Sequence, residues 1–209
     1  MTGVITFSSF LLQGLKTKVA WEAFIQNFSK DFSEKPLEPN STEFKCLKVL
    51  FSPDEKEVEL EHFGEIIGFF TKLSKNSWIT YVVQVMFQDF FWGFKSSSEA
   101  QSALGKQPEG TYLIRFSSKG SNYTLSFVGG KKIWHTRIIH PYAESKFALD
   151  GAPNKIYPSL ADLIQATKDS GTIDRVCPGA PYKHLFGESM EGGGYATLQY
   201  DDDSDEIEN

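Results

Sequence analysis

The stretch Gly110-Thr-Tyr-Leu-Ile-Arg-Phe-Ser-Ser-Lys-Gly120 constrains this chain more than any other. Glycine and polar residues mark a turn at each end, and the apolar run between them reads as a short strand. Arg115 stands inside that run, between Ile114 and Phe116. Arginine is almost never buried without a partner. A fold that buries this strand must therefore supply an anion to Arg115 or aim it at one. Simple alternation across a strand leaves a second outcome open, with Arg115 on a solvent face.

The 209 residues suit one large domain or two small ones, and 40% hydrophobic content with 18 Phe is enough for a core. Cys46 and Cys177 stand far apart, outside any Cys-x-x-Cys or Cys/His spacing. That argues for free thiols in a reducing compartment, and against a zinc site or a disulfide framework. No apolar run approaches the roughly 18 residues of a membrane span. Met1 to Leu15 carries no basic residue and makes a poor signal peptide. The expected location is therefore cytoplasmic or nuclear. The net charge is −6, but residues 201–209 alone hold six acids and no base. The rest of the chain is close to neutral, which argues against direct nucleic-acid binding.

Before the central stretch the chain is helical in pattern. Trp21, Phe24, Ile25, Phe28 and Phe32 recur at helical spacing over 18–33, ended by Pro36 and Pro39. Asn40-Ser-Thr-Glu43 caps a second helix carrying Phe44, Leu47, Leu50 and Phe51. Further helices are expected over about 61–73 and 77–91. The segment Ser52-Pro-Asp-Glu-Lys-Glu-Val-Glu-Leu-Glu-His-Phe63 resembles an EF-hand loop leading into its exit helix, with Val58 at the short-strand position. Its ligand positions are wrong for calcium: Phe51 and Pro53 replace carboxylates, Lys56 the turning glycine and His62 the bidentate glutamate. The expectation is a scaffold without metal or other cofactor.

After Trp92 the pattern changes. Ser96-Ser-Ser-Glu99 caps a short helix, and three strands follow in meander order over 111–117, 123–128 and 132–139, the last two joined at Gly129-Gly130. Ser159 opens another helix, stopped by Gly171. In this setting Trp92-Gly-Phe94 with Ser96, Gly110-Thr-Tyr-Leu-Ile-Arg-Phe-Ser117, Ile133-Trp-His-Thr-Arg-Ile138, Tyr157-Pro-Ser-Leu-Ala-Asp-Leu-Ile164 and Val176-Cys-Pro178 resemble, in order, the ordered motifs of an SH2 domain, the phosphotyrosine-reading module. The resemblance covers about Phe90 to Pro178.

What it implies is an arginine, here Arg115, at the floor of a phosphate pocket. Ser117, Ser118 and Lys119 would form the phosphate loop, with His135 bracing the pocket and Arg137 beside the phenyl ring. The resemblance also carries an expected basic residue on the first helix, where this chain has Ser96-Ser97-Ser98. Lys95 and Lys119 are the substitutes at hand. The helical half running straight into this unit resembles the linker–SH2 unit of STAT proteins, and Cbl proteins join the same two parts.

The expected fold is therefore α+β: a helical, EF-hand-like linker over 15–90, an SH2 domain with a central antiparallel sheet flanked by two helices over 91–180, and a flexible acidic tail over 181–209. The expected function is a phosphotyrosine-peptide binding module in tyrosine-kinase signalling, adaptor or STAT-like. Its partners would be tyrosine-phosphorylated proteins, or a second copy through phosphorylated Tyr195 or Tyr200 in the tail. No catalytic residue is expected; a tyrosine phosphatase needs an arginine six residues after its cysteine, and Cys177 is followed by Pro-Gly-Ala-Pro-Tyr-Lys. The alternative is a degenerate SH2 fold that braces the helical half without binding phosphotyrosine.

Overall fold

A computed structural model describes residues 18–33, 35–52, 54, 56–70, 75–118, 120–140 and 146–186, leaving out the side chains of 75–77. Lys119, Tyr195 and Tyr200 lie outside the described residues.

The described residues open on a short strand, β1 (Lys18–Ala20), where the sequence pattern suggests the first turn of a helix. Val19 pairs with Val58 of β2 (Glu57–Glu59), and this pairing overrides helical spacing at the segment's edge. Among the described residues four helices fill this half: α1 (Trp21–Phe32), α2 (Thr42–Phe51), α3 (Leu60–Phe69) and α4 (Lys75–Phe87). Ser41 caps α2 by accepting from Phe44 N. The apolar stripes of these helices meet in an aromatic cluster. Phe28 stacks on Phe32 at 4.3 Å, Phe51 on the fully buried Trp78 at 6.0 Å, and Phe24 meets Phe63 edge-on at 5.4 Å. Each such ring, fully buried, contributes roughly 1.5–3 kcal/mol. α4 stops at Phe87, short of the expected 91, because Phe91 leaves the helix to bridge Ile114.

The loop between α2 and β2 is tied by side chains. Asp54 Oδ1 accepts from Lys56 N (3.2 Å) and Ser52 Oγ (3.3 Å), and Ser52 Oγ donates to Glu57 O (2.9 Å). His62 pairs through Nε2 with Leu50 O at the end of α2 (2.8 Å).

Ser96 then opens α5 (Ser97–Leu104) with a complete capping box: its hydroxyl accepts from Glu99 N, and the Glu99 carboxylate accepts from Ser96 N. The meander follows as β3 (Thr111–Phe116), β4 (Tyr123–Gly129) and β5 (Lys132–Ile139). The β4–β5 turn falls on Gly130-Lys131, one residue later than Gly129-Gly130. Both of its residues have positive φ (57° and 66°), as a twist-matched two-residue hairpin requires. Next come β6 (Ala148–Leu149), α6 (Leu160–Asp169) and β7 (Arg175–Val176).

The five strands run in the order β6-β5-β4-β3-β7. β7 joins β3 in parallel, Thr111 opposite Arg175, so the sheet is mixed and not purely antiparallel. The return through α6 brings β7 back in the direction of β3, the geometry of a helical crossover.

The largest apolar core runs without a break from the helical half onto one sheet face, taking in Tyr112, Ile114 and Phe116 of β3. A smaller cluster, Ala100, Leu104, Leu113 and Cys177, fills the opposite face beneath α5. β3 is thus buried on both sides, which is why it reads as continuous apolar residues instead of alternating. The chain packs on through Phe186: Tyr182 stacks near Phe91 (5.9 Å) and Phe186 meets Phe87 edge-on (5.2 Å). Among the described residues no helix is long and apolar enough to cross a membrane.

Candidate functional site

Two rows of side chains cross the face of the sheet that lies under α5. Arg115 pairs with Thr124, which pairs with Arg137; Leu113 pairs with Ser126, which pairs with His135. The period of two along each strand puts both rows on one face. The expected convergence of Arg115, His135 and Arg137 is therefore present in the register itself.

Arg115 is 4% exposed. Both bonds it makes leave from Nη1, to Lys95 O (3.2 Å) and Phe116 O (3.1 Å). A guanidinium carries five N–H donors in a planar fork. Nη1 is filled, and the buried Nε has no partner. Among the described residues no carboxylate forms an ion pair with Arg115. Burial lowers its pKa below the ordinary value, yet an arginine stays charged in proteins. The two carbonyls thus clamp one end of the side chain and leave the Nε/Nη2 edge as a charged fork. That edge suits a bidentate oxyanion such as carboxylate or phosphate. The solvent-face outcome for Arg115 is excluded by its burial.

His135 supports the same face. Its Nδ1 lies 2.8 Å from Ser126 Oγ, and its Nε2 lies 3.1 Å from Ser97 Oγ and 3.4 Å from Gln101 Nε2 on α5. His135 thus bridges Ser126 on β4 to Ser97 and Gln101 on α5. Burial, and then the nearby positive charge of Arg115, lower the His135 pKa. A folded-state value below the unfolded 6.5 gives stability that is full above pH 6.5 and lost as pH falls through the folded value. Urea denaturation between about pH 7.5 and 5 should show that loss, and His135→Asn should flatten this part of the profile. An unchanged slope would show that His135 does not titrate as described.

The remaining positions divide clearly. Ser117 is half-buried, and its N–H donates to Asn122 O (2.8 Å), closing the β3–β4 loop. Asn122 N donates to Gly120 O (2.9 Å), with Gly120 at φ 68°. Ser118 is exposed in the same loop. Arg137, at the outer end of its row, is 43% exposed and approaches Asp150 Oδ2 at 3.9 Å. Lys95 places its ammonium on Glu99 (3.0 Å), so of the two substitutes for a first-helix charge one is tied to an acid and the other, Lys119, lies outside the described residues. Ser96 caps α5, Ser97 meets His135, and Ser98 Oγ lies 3.0 Å from Ser96 Oγ. The start of α5 therefore gives the site hydroxyls and a helix N-terminus, not a side-chain cation.

Thr124, Ser126 and Gln101 were not singled out from sequence. The signal for the first two was present: the alternation Tyr123-Thr-Leu-Ser-Phe127 sets two small hydroxyls on one face. Thr124 and Ser126 are 6% and 0% exposed, which a one-sided solvated strand does not produce.

The SH2 domain family model matches residues 90–166. The chain carries an SH2 domain. The SH2 match takes in α5, the meander and the first part of α6, the elements that build the site. Similarity to curated proteins reaches further. The chain is 30% identical over 174 residues to the dual specificity protein kinase shkB of Dictyostelium discoideum, covering 81% of this chain and 26% of the kinase. It is 33% identical over 178 residues to shkA of the same organism, covering 79% and 32%. It is 37% identical over 99 residues to the cytokine-inducible SH2-containing protein of Gallus gallus, covering 44% and 39%. The chain thus spans well under half the length of these relatives. Residues from 90 to the end are too few to supply the 81% shared with shkB, so that similarity runs back into the helical half. These relatives are not STAT proteins, and the STAT-like reading of the helical half gains nothing from them.

Proposed function

We propose that this chain is a phosphotyrosine-binding unit in which the SH2 domain reads the ligand and the helical half supports it. The observation that carries the proposal is the buried, charged fork of Arg115 that no described acid neutralises. A phosphotyrosine brings close to two negative charges and three acceptor oxygens, and its ring gives the reach to a floor this deep. In this reading Arg115 grips the phosphate side-on, and Ser117, Ser118 and Lys119 close over it. His135 holds α5 to the sheet through Ser97 and Ser126, and Arg137 at the open rim lies along the phenyl ring. Bound dianion also offsets the Arg115 charge that lowers the His135 pKa, so ligand raises that pKa. The partners are tyrosine-phosphorylated proteins or peptides. The kinase activity in the names of the Dictyostelium relatives is not carried to these 209 residues, which we read as a non-catalytic unit.

The test is titration with a tyrosine-phosphopeptide library and its dephosphorylated counterpart. Binding with roughly micromolar Kd to phosphorylated members only supports the reading. Equal signals from both pools overturn it. The absence of a side-chain cation from the start of α5 favours one other outcome: an SH2 fold that braces the helical half and binds no phosphopeptide. The same titration decides between them.

Three finer points belong to the proposal. The helical half is read as an EF-hand-like scaffold without an ion, supported by the Val19–Val58 strand pair and by the Asp54 and His62 bonds that tie its loop. The unit acts as an adaptor or STAT-like element in the cytoplasm or nucleus. Phosphorylated Tyr195 or Tyr200 is offered to this SH2 domain or to that of a second copy. Light scattering before and after tyrosine phosphorylation checks the last point, and an unchanged mass with the domain still open to added peptide refutes it.

A further inference from the structure

The geometry points to α3 of the helical half as the element that sets the shape of the 117–122 loop, with Gly68 as its positioning residue. This rests on the phosphotyrosine reading for its functional consequence, but the contact itself does not. The end of α3 meets the loop at three places. Phe69 stacks on Phe116 at 4.0 Å, and Phe116 is the last residue before the loop. Phe69 and Phe70 lie 6.2 and 6.5 Å from Tyr123, the first residue after it. Phe116 and Tyr123 are strand partners and stack on each other at 5.7 Å. Both stems of the loop are thus held by the same two rings, Phe69 at the end of α3 and Phe70 just after it.

The third place is Gly68. A Cβ there would come closer than 3.0 Å to Ser121 Oγ and to 3.2 Å from Ser121 Cβ. Real Cβ atoms essentially never come as close as the first of these, which the Ser121 hydroxyl relieves by turning about χ1; the second is tighter than most real contacts, so the helix or the loop must still give by a few tenths of an ångström. The helix is held by Phe69 and Phe70 in the core, whereas the loop is exposed at Ser118, Gly120 and Ser121. The loop is therefore the part that shifts. One helical turn earlier, Gly64 has nothing within 4 Å of the same added atom. Two glycines four residues apart on one helix thus differ in what they face, and only Gly68 reports on the loop.

The consequence is that the helical half fixes the hydroxyl and amide donors the loop presents to a phosphate. Losing one charge-assisted hydrogen bond by displacement weakens binding by about tenfold or more. This also gives a physical reason for the helical half and the SH2 domain to be shared together with the Dictyostelium relatives.

The experiment uses the full chain and phenyl phosphate as probe, followed by 1H–15N NMR. Gly68→Ala should shift the amide signals of Ser117, Ser118 and Gly120 in the ligand-free protein and weaken phenyl phosphate binding about tenfold. Gly64→Ala should do neither. Ser121→Gly removes both atoms that oppose the new methyl, so G68A combined with S121G should regain the wild-type spectrum and affinity. Ser121→Val presses on the same gap from the loop side and reproduces the loss on an unmodified helix, so a G68A chain that folds poorly does not end the test. Wild-type-like loop shifts and affinity in both G68A and S121V overturn the positioning role. Failure of the wild-type chain to bind phenyl phosphate while G68A still moves the loop amides overturns the phosphotyrosine reading and the functional consequence drawn from it.

Discussion

Arg115→Ala should remove the proposed phosphotyrosine binding while leaving the fold intact. The guanidinium lies buried on this face, with one nitrogen clamped by Lys95 O and Phe116 O and the buried Nε left without a partner. Truncating one partner of a buried charged pair costs about 2–5 kcal/mol of binding. That is roughly 30-fold to several thousand-fold in Kd. Arg115→Lys does not rescue it, because an ammonium offers a point charge where the site offers a fork. Stability should change far less than binding. Among the described residues Arg115 is a buried charge without a counter-ion, so its loss relieves a desolvation cost while it opens a cavity. Isothermal titration with a selected phosphopeptide and urea denaturation of the same samples separate the two effects. Binding within threefold of wild type by the alanine variant would remove Arg115 from the site.

Phe116→Ala has the second largest effect, and it falls on stability. This ring is where the two halves meet. It stacks on Phe69 at 4.0 Å, lies 4.6 Å from Phe94 and 5.1 Å from Phe91, and reaches Phe70 edge-on at 6.0 Å. Its neighbours come from α3, from the turn after α4 and from the segment leading to α5, so no single element can collapse into the space it leaves. Removing a buried phenylalanine costs about 3–5 kcal/mol, and a site that cannot collapse belongs at the upper end. Urea denaturation followed by both tryptophan fluorescence and far-ultraviolet circular dichroism should show one shifted transition, because the core is continuous across the junction. A loss below about 1 kcal/mol would contradict the packing described here.

The elements that build the site were legible in the residues for specific reasons. Ser96 and Ser159 announced their helices because a capping hydroxyl has a local signature. The meander was legible because strand alternation and glycine turns are local too. Arg115 stood out because its burial conflicts with its charge. What stayed hidden depends on contacts between distant residues. That Lys18–Ala20 is strand follows only from Val58, some forty residues away. That β7 runs parallel to β3 follows from a crossover no local pattern encodes. The fate of Lys95 depends on Glu99, a helical neighbour that was visible, but the link from Ser97 to His135 spans the sheet face. The role of Gly68 could not be read at all, since a glycine in a helix looks like a defect until Ser121 is seen opposite it.

The most direct test of the central claim is the Nε–H signal of Arg115 itself. In the free protein this proton has no described partner. On titration with phenyl phosphate in 1H–15N NMR, the signal should move downfield and exchange more slowly with water, in step with the amides of Ser117 and Ser118. A phosphopeptide that binds while the Arg115 Nε–H signal stays where it was would place the phosphate elsewhere and contradict the account.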